Sequence, residues 1–155
     1  MRKDSSFRID LVEVIKNAEK EAVFEEIVEM VEYLVPDVSQ YMRSGLNYYQ
    51  RGEYDEAIKE FRKALELNPE RSEIHYNLGL VLEAKGLLQE AIQEYKKALE
   101  LNPEDAEAHN NLGIVYYKQG NYKKAVEEFK IALSINTDFE IAKKNLKLLG
   151  KDEYK

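Results

Sequence analysis

Residues 72–105 read SEIHYNLGLVLEAKGLLQEAIQEYKKALELNPED, and residues 106–139 follow as AEAHNNLGIVYYKQGNYKKAVEEFKIALSINTDF. A third copy, VSQYMRSGLNYYQRGEYDEAIKEFRKALELNPER, precedes them at 38–71. The period is 34 residues without a slip: Gly45, Gly79 and Gly113 share one place, and Gly52, Gly86 and Gly120 another. Ala57, Ala91 and Ala125 recur likewise, as do Phe61, Tyr95 and Phe129, then Ala64, Ala98 and Ala132. Pro69 and Pro103 keep the spacing, and Thr137 stands at the next place in that register. A fixed period of this length dictates architecture: each copy is one supersecondary unit that buries its apolar face only by stacking on its neighbours.

Each recurring residue has a physical reason. The first glycine falls inside an apolar helical pattern, where it costs about 1 kcal/mol relative to alanine, so it predicts a close approach of a second helix. The second glycine, seven residues on, ends the first helix in a left-handed C′ conformation. Small alanines then let a second helix pack on the first, and the aromatic four residues later fills the wedge. Proline after ELN closes that helix.

This arrangement resembles the tetratricopeptide repeat family, with repeats at 38–71, 72–105 and 106–139. The resemblance implies an all-α, right-handed α-solenoid of three helix-turn-helix repeats. Departures are minor: Tyr41, His75 and His109 stand where the family often has tryptophan, Ser44 replaces a leucine, and Thr137 replaces the last proline.

The ends read differently. Residues 140–155 form a capping helix and tail, expected to start at a capping box, Thr137 to Glu140, and to stop at Gly150. Residues 1–37 are a helical extension with an apolar stripe through Val12, Ile15, Val23, Ile27, Met30 and Leu34. Val12, Phe24 and Val31 are too bulky for the small-residue places, so this segment does not continue the stack and is expected to cover its N-terminal end rather than its groove.

Composition narrows the chemistry. No apolar run reaches the roughly 20 residues of a spanning helix, and Asp4, Asp10 and Glu13 interrupt any signal-peptide core, so no membrane insertion and a cytoplasmic location are expected. The formal charge of -7 argues against nucleic-acid binding, which needs a basic face. The chain has no cysteine. It also lacks a phosphate loop, a nucleophile elbow and a metalloprotease motif, so no enzyme activity and no cofactor are expected. His75 and His109 occupy equivalent places one repeat apart, about 8–10 Å if the helices pack normally; a metal with bonds near 2 Å does not bridge that distance. No metal site is expected, and both rings read as aromatic fillers.

The resemblance further implies a binding groove lined by the first helix of each repeat, at its second, fifth, sixth, ninth, twelfth and thirteenth places. These give an apolar row, Leu46, Leu80, Ile114 and, in the capping helix, Leu148, extended by Met42, Tyr49, Tyr76 and Tyr117. Contiguous exposed apolar surface marks a partner site. Beside it run Arg43, Asn77, Asn111 and Asn145, with Asn110 at a fifth place; asparagines there either hold a peptide main chain or serve local packing. The family's clamp for acidic chaperone tails would fall on Met42, Leu46, Asn77, Glu107 and Asn111. Only Asn77 matches, and Glu107 would repel a carboxylate. Lys118, Lys144, Lys147 and Lys151 form a basic corner, while residues 1–37 carry a net charge of -5 from 5 basic and 10 acidic side chains. The chain therefore reads as a scaffold that grips a protein or peptide, the alternative being self-assembly into a homo-oligomer through its N-terminal segment and its groove or solenoid ends.

Overall fold

The computed structural model describes residues 37–152, together with Ile27 and Met30 in isolation; the side chains of residues 151 and 152 lie outside that description. The expected stripe, bulky places and end-covering role of the N-terminal extension fall outside the described residues. The chain divides into two compact units, Met1–Asp37 and Val38–Lys155. Among the described residues of the second, seven helices follow one another: α1 (Val38–Gln50), α2 (Tyr54–Leu67), α3 (Ser72–Lys85), α4 (Leu88–Leu101), α5 (Ala106–Lys118), α6 (Tyr122–Ile135) and α7 (Glu140–Asp152). They form an α-solenoid in which α1/α2, α3/α4 and α5/α6 are paired and α7 packs on the last pair.

The glycines act as the sequence requires. A Cβ built on Gly79 would lie 2.7 Å from Cε1 of Tyr95, whose ring is fully buried and has no room to retreat. Gly86 has φ 86°, and its turn closes through Leu87 N–H donating to the Leu82 carbonyl at 2.8 Å, the six-to-one bond of a Schellman motif. Each second helix ends on an asparagine whose N–H donates back to an alanine carbonyl: Asn68 to Ala64, Asn102 to Ala98 and Asn136 to Ala132.

Stacking places the two helix layers at different radii. The backbones of α1 and α3, α3 and α5, and α5 and α7 approach one another, whereas α2, α4 and α6 do not. The first helices therefore form a continuous inner wall, and the second helices fan apart outside it.

The C-terminal helix departs from expectation at both ends. Asn136, not Thr137, organises its start: its Oδ1 accepts from Asp138 N–H at 3.1 Å, and the capping box does not form. At the other end the helix runs through Gly150 to Asp152, because this glycine does not take the left-handed conformation that would end it.

Candidate functional site

The open face of the inner wall is set by helix phase. On α3, Glu73, Tyr76, Leu80 and Ala84 keep solvent contact while Ile74, Leu78, Val81 and Leu82 are buried against neighbouring helices. The ninth-place row is graded: Leu46 is 38% and Leu148 59% exposed, with the half-buried Leu80 and Ile114 between them. Tyr49 is half-buried and Tyr117 exposed. Arg43 is exposed at the sixth place of α1.

Met42 departs from the expected exposed stripe; it is 6% exposed and belongs to the core. The fifth place lies at the seam between successive first helices, as its other occupants show. Tyr76 on α3 accepts at its hydroxyl from Asn111 Nδ2 on α5, at 3.1 Å. Asn110 on α5, 3% exposed, accepts at Oδ1 from Asn145 Nδ2 on α7, at 2.9 Å. Asn110 Nδ2 in turn donates to Asn111 Oδ1 at 3.3 Å. The amides of Asn110, Asn111 and Asn145 thus sew α3, α5 and α7 together, which is the local packing role the sequence left open.

Asn77 is different. It is 9% exposed, and its side chain makes no hydrogen bond with any described residue. Among the described residues every side-chain N or O atom sealed from solvent has a partner, so the Asn77 amide is not sealed from it. Its helical neighbours four before and three and seven after, Glu73, Leu80 and Ala84, are accessible, so that exposure is on the open face.

The expected basic corner is smaller than the sequence suggested. Lys118 Nζ donates to Glu83 Oε1 at 2.6 Å, across from α5 to α3, and Glu83 Oε2 accepts from the buried Tyr95 hydroxyl at 2.9 Å. Lys118 is thereby committed to the stack. Lys144 and Lys147 remain exposed without a salt bridge among the described residues.

The histidines are more than fillers. His75 Nδ1 lies 2.7 Å from Glu94 Oε2 and Nε2 lies 2.8 Å from the Pro69 carbonyl. His109 repeats this with Glu128 at 2.7 Å and Pro103 at 3.0 Å. Each imidazole ties the turn entering its repeat to the second helix of the same repeat. The signal was present in the sequence: each histidine is followed 19 residues later by a glutamate, twice, in register. In the first repeat Tyr41 replaces histidine, and Lys63 supplies the cation, donating to Glu60 at 2.6 Å while lying 5.4 Å from the Tyr41 ring centroid.

For His109, burial opposes the charged form, yet the Glu128 carboxylate, the Pro103 carbonyl and the charges of Glu128 and Asp105 outweigh it and hold the imidazole above the usual histidine range. A folded pKa above the unfolded one gives stability that is complete below about pH 6.5 and is lost as pH rises through the folded value. An NMR titration of the imidazole, assigned with His109→Gln, is expected to show this elevation, and the variant to have a weaker fall of unfolding midpoint with pH. A His109 midpoint at or below that of a free histidine would contradict the assignment.

The chain matches two family profiles described as tetratricopeptide repeat, over residues 42–105 and 82–147, which together span more than half of it. No curated protein matches it. Among solved structures it is similar to an Arabidopsis OM64 TPR domain, with TM-score 0.72 at 22% identity over 74% of this chain and 95% of that one. It is similar to MamA, with TM-score 0.74 at 26% identity over 81% and 73%. It also resembles YrrB, described as a TPR protein with an unusual peptide-binding site, with TM-score 0.66 at 26% identity over 70% of this chain and 56% of that one. Period, packing and both profiles agree: the chain belongs to the tetratricopeptide repeat family.

Proposed function

We propose that the inner wall of α1, α3, α5 and α7 binds a segment of another polypeptide, and that the protein works as a cytoplasmic, non-catalytic interaction scaffold. The observation that carries this reading is the row Leu46, Leu80, Ile114 and Leu148, one residue per first helix, left partly in water although the core beside it is closed. Exposed apolar residues in register form a contiguous patch, and such patches mark partner sites. The open Asn77 amide beside the row supplies a donor and an acceptor for a peptide main chain. YrrB, similar in fold, is described as a TPR protein with an unusual peptide-binding site, which supports peptide binding by this chain.

Peptides selected from a random display library on the full chain supply the probe. Leu80→Glu places a charge in the middle of the row and is expected to weaken those peptides about tenfold or more, equivalent to about 1.4 kcal/mol, with helicity by circular dichroism unchanged. Undiminished affinity in the variant would move the working surface away from the inner wall.

A further inference from the structure

Successive inner helices meet in one register. A residue at the fifth or twelfth place points forward, toward the next repeat, and bonds to the sixth or thirteenth place of the following inner helix. Tyr76 accepts from Asn111 at 3.1 Å, Asn110 from Asn145 at 2.9 Å, and Glu83 from Lys118 at 2.6 Å. The forward edges of α1, α3 and α5 are covered in this way, down to 6% exposure at Met42. On α7 the same edge faces solvent, since no described helix follows it. Lys144 holds its fifth place, exposed and without a salt bridge among the described residues. Glu140, one turn earlier, is taken by Lys143 at 2.8 Å and feels Lys144 only through its charge. Three residues before Lys144 and four after it, on the same helix face, Ile141 is 55% and Leu148 59% exposed. These are the highest values for large apolar side chains among the described residues of the second unit. A terminal helix that only shields the stack from water needs a polar outer face, which Lys143 and Lys147 supply. An apolar pair around Lys144, on the next edge, is not explained by that role.

We propose that the forward edge of α7 docks an amphipathic helix of a partner protein, seated as a further inner helix. A carboxylate at its sixth place pairs with Lys144, and apolar residues on either side cover Ile141 and Leu148. Continuity supplies the shape of the occupant, because each of the three preceding forward edges is covered by a helix. Register supplies its charge. Tyr76 and Asn110 accept from the amides facing them, but an ammonium group can only donate, so the group facing Lys144 must accept, and an ionised Asp or Glu does so most strongly. A second copy of this chain does not fit. Its α1 would bring Arg43, at the sixth place, against Lys144, a like-charge contact. It would also bring Gln40 and Ser44 to the third and seventh places, where α3 has the buried Ile74 and Leu78. This edge shares Leu148 with the inner-wall row but does not rest on that row being a binding surface.

The probe is a display library built on an alanine-rich peptide of about 20 residues, long enough to be helical alone, with one face randomised and selection on the full chain. Selected helices are expected to carry Asp or Glu at one fixed place, with apolar residues one helical turn to either side. Synthetic versions should lose about tenfold or more in affinity to Lys144→Glu, which sets a like charge against the acid, and should weaken toward Ile141→Glu, with the helicity of both variants unchanged. They should keep their affinity for Leu80→Glu, and should regain it on Lys144→Glu when their own acid is replaced by lysine. Helices without a fixed acidic residue, affinity unmoved by Lys144→Glu, or no enriched helix at all overturn the proposal. Affinity lost to Leu80→Glu but not to Lys144→Glu puts the helix on the row around Leu80, which overturns the proposal and leaves the inner-wall reading standing. A sedimentation mass that climbs with wild-type concentration, and no longer climbs in Lys144→Glu, makes a second copy the occupant and overturns it as well.

Discussion

Tyr95→Ala is expected to lower the free energy of unfolding by about 3–5 kcal/mol, the range for removing a large aromatic from a closed core. Tyr95 is fully buried on α4 and lies directly on Gly79, so truncation opens a void between the two helices of the central repeat. The void does not refill from the other side, because glycine has no side chain to advance. The substitution also strips Glu83 of the phenol donor at 2.9 Å, leaving its carboxylate held by Lys118 alone. The ring packs 6.0 Å from the Tyr76 ring, centroid to centroid, so the damage reaches the inner wall as well. Tyr95→Phe separates the contributions: it keeps the ring and removes the hydrogen bond, for a loss of about 1 kcal/mol. Urea unfolding followed by circular dichroism measures both. A loss below about 1 kcal/mol for Tyr95→Ala would show that the central repeat is not closed around this ring.

Ala91→Leu is expected to cost about 1–3 kcal/mol by the opposite route, overpacking. Ala91 has no solvent exposure and sits in the first turn of α4, where its N–H donates to the Leu87 carbonyl at 3.0 Å and fixes the start of the helix. Three added carbons have to displace a neighbour or shift α4 along α3. Ala57 and Ala125, at the same place in the other repeats, are equally sealed, so the same substitution there should behave alike. An unfolding midpoint unchanged by Ala91→Leu would show the repeat register to be wrong.

The two substitutions probe what the sequence made readable. Gly79, Ala91 and Tyr95 carry their constraints in residue type, and the 34-residue period repeats each constraint three times, so pairing and turns follow without reference to distant contacts. The proposed binding surface is less legible. Met42 and Asn110 share the fifth place with Tyr76, but whether that place is open depends on the next helix, which sequence spacing within one repeat does not include. Lys118 reads as an available cation until the fold brings Glu83, 35 residues earlier, to its ammonium group. The asparagines divide for the same reason: three find partners across the seams, and Asn77 does not. The start of α7 departs from the local capping rule, since Asn136 forms its own turn and takes precedence over the neighbouring Thr137.

The unequal spacing of the two helix layers also governs how the molecule deforms. Helices α2 and α4 are bridged by a long side-chain pair, Arg62 to Glu90 at 3.7 Å, while the backbones of the inner helices approach one another more closely. An exposed pair of this kind contributes little free energy, so spreading or closing the outer layer is a soft motion and shearing the inner one is stiff. The solenoid therefore flexes like a strip hinged along its inner edge. Small rotations between repeats add up to a change in the spacing of the outer helices while the Tyr76, Asn111, Asn110 and Asn145 stitching of the inner ones is kept.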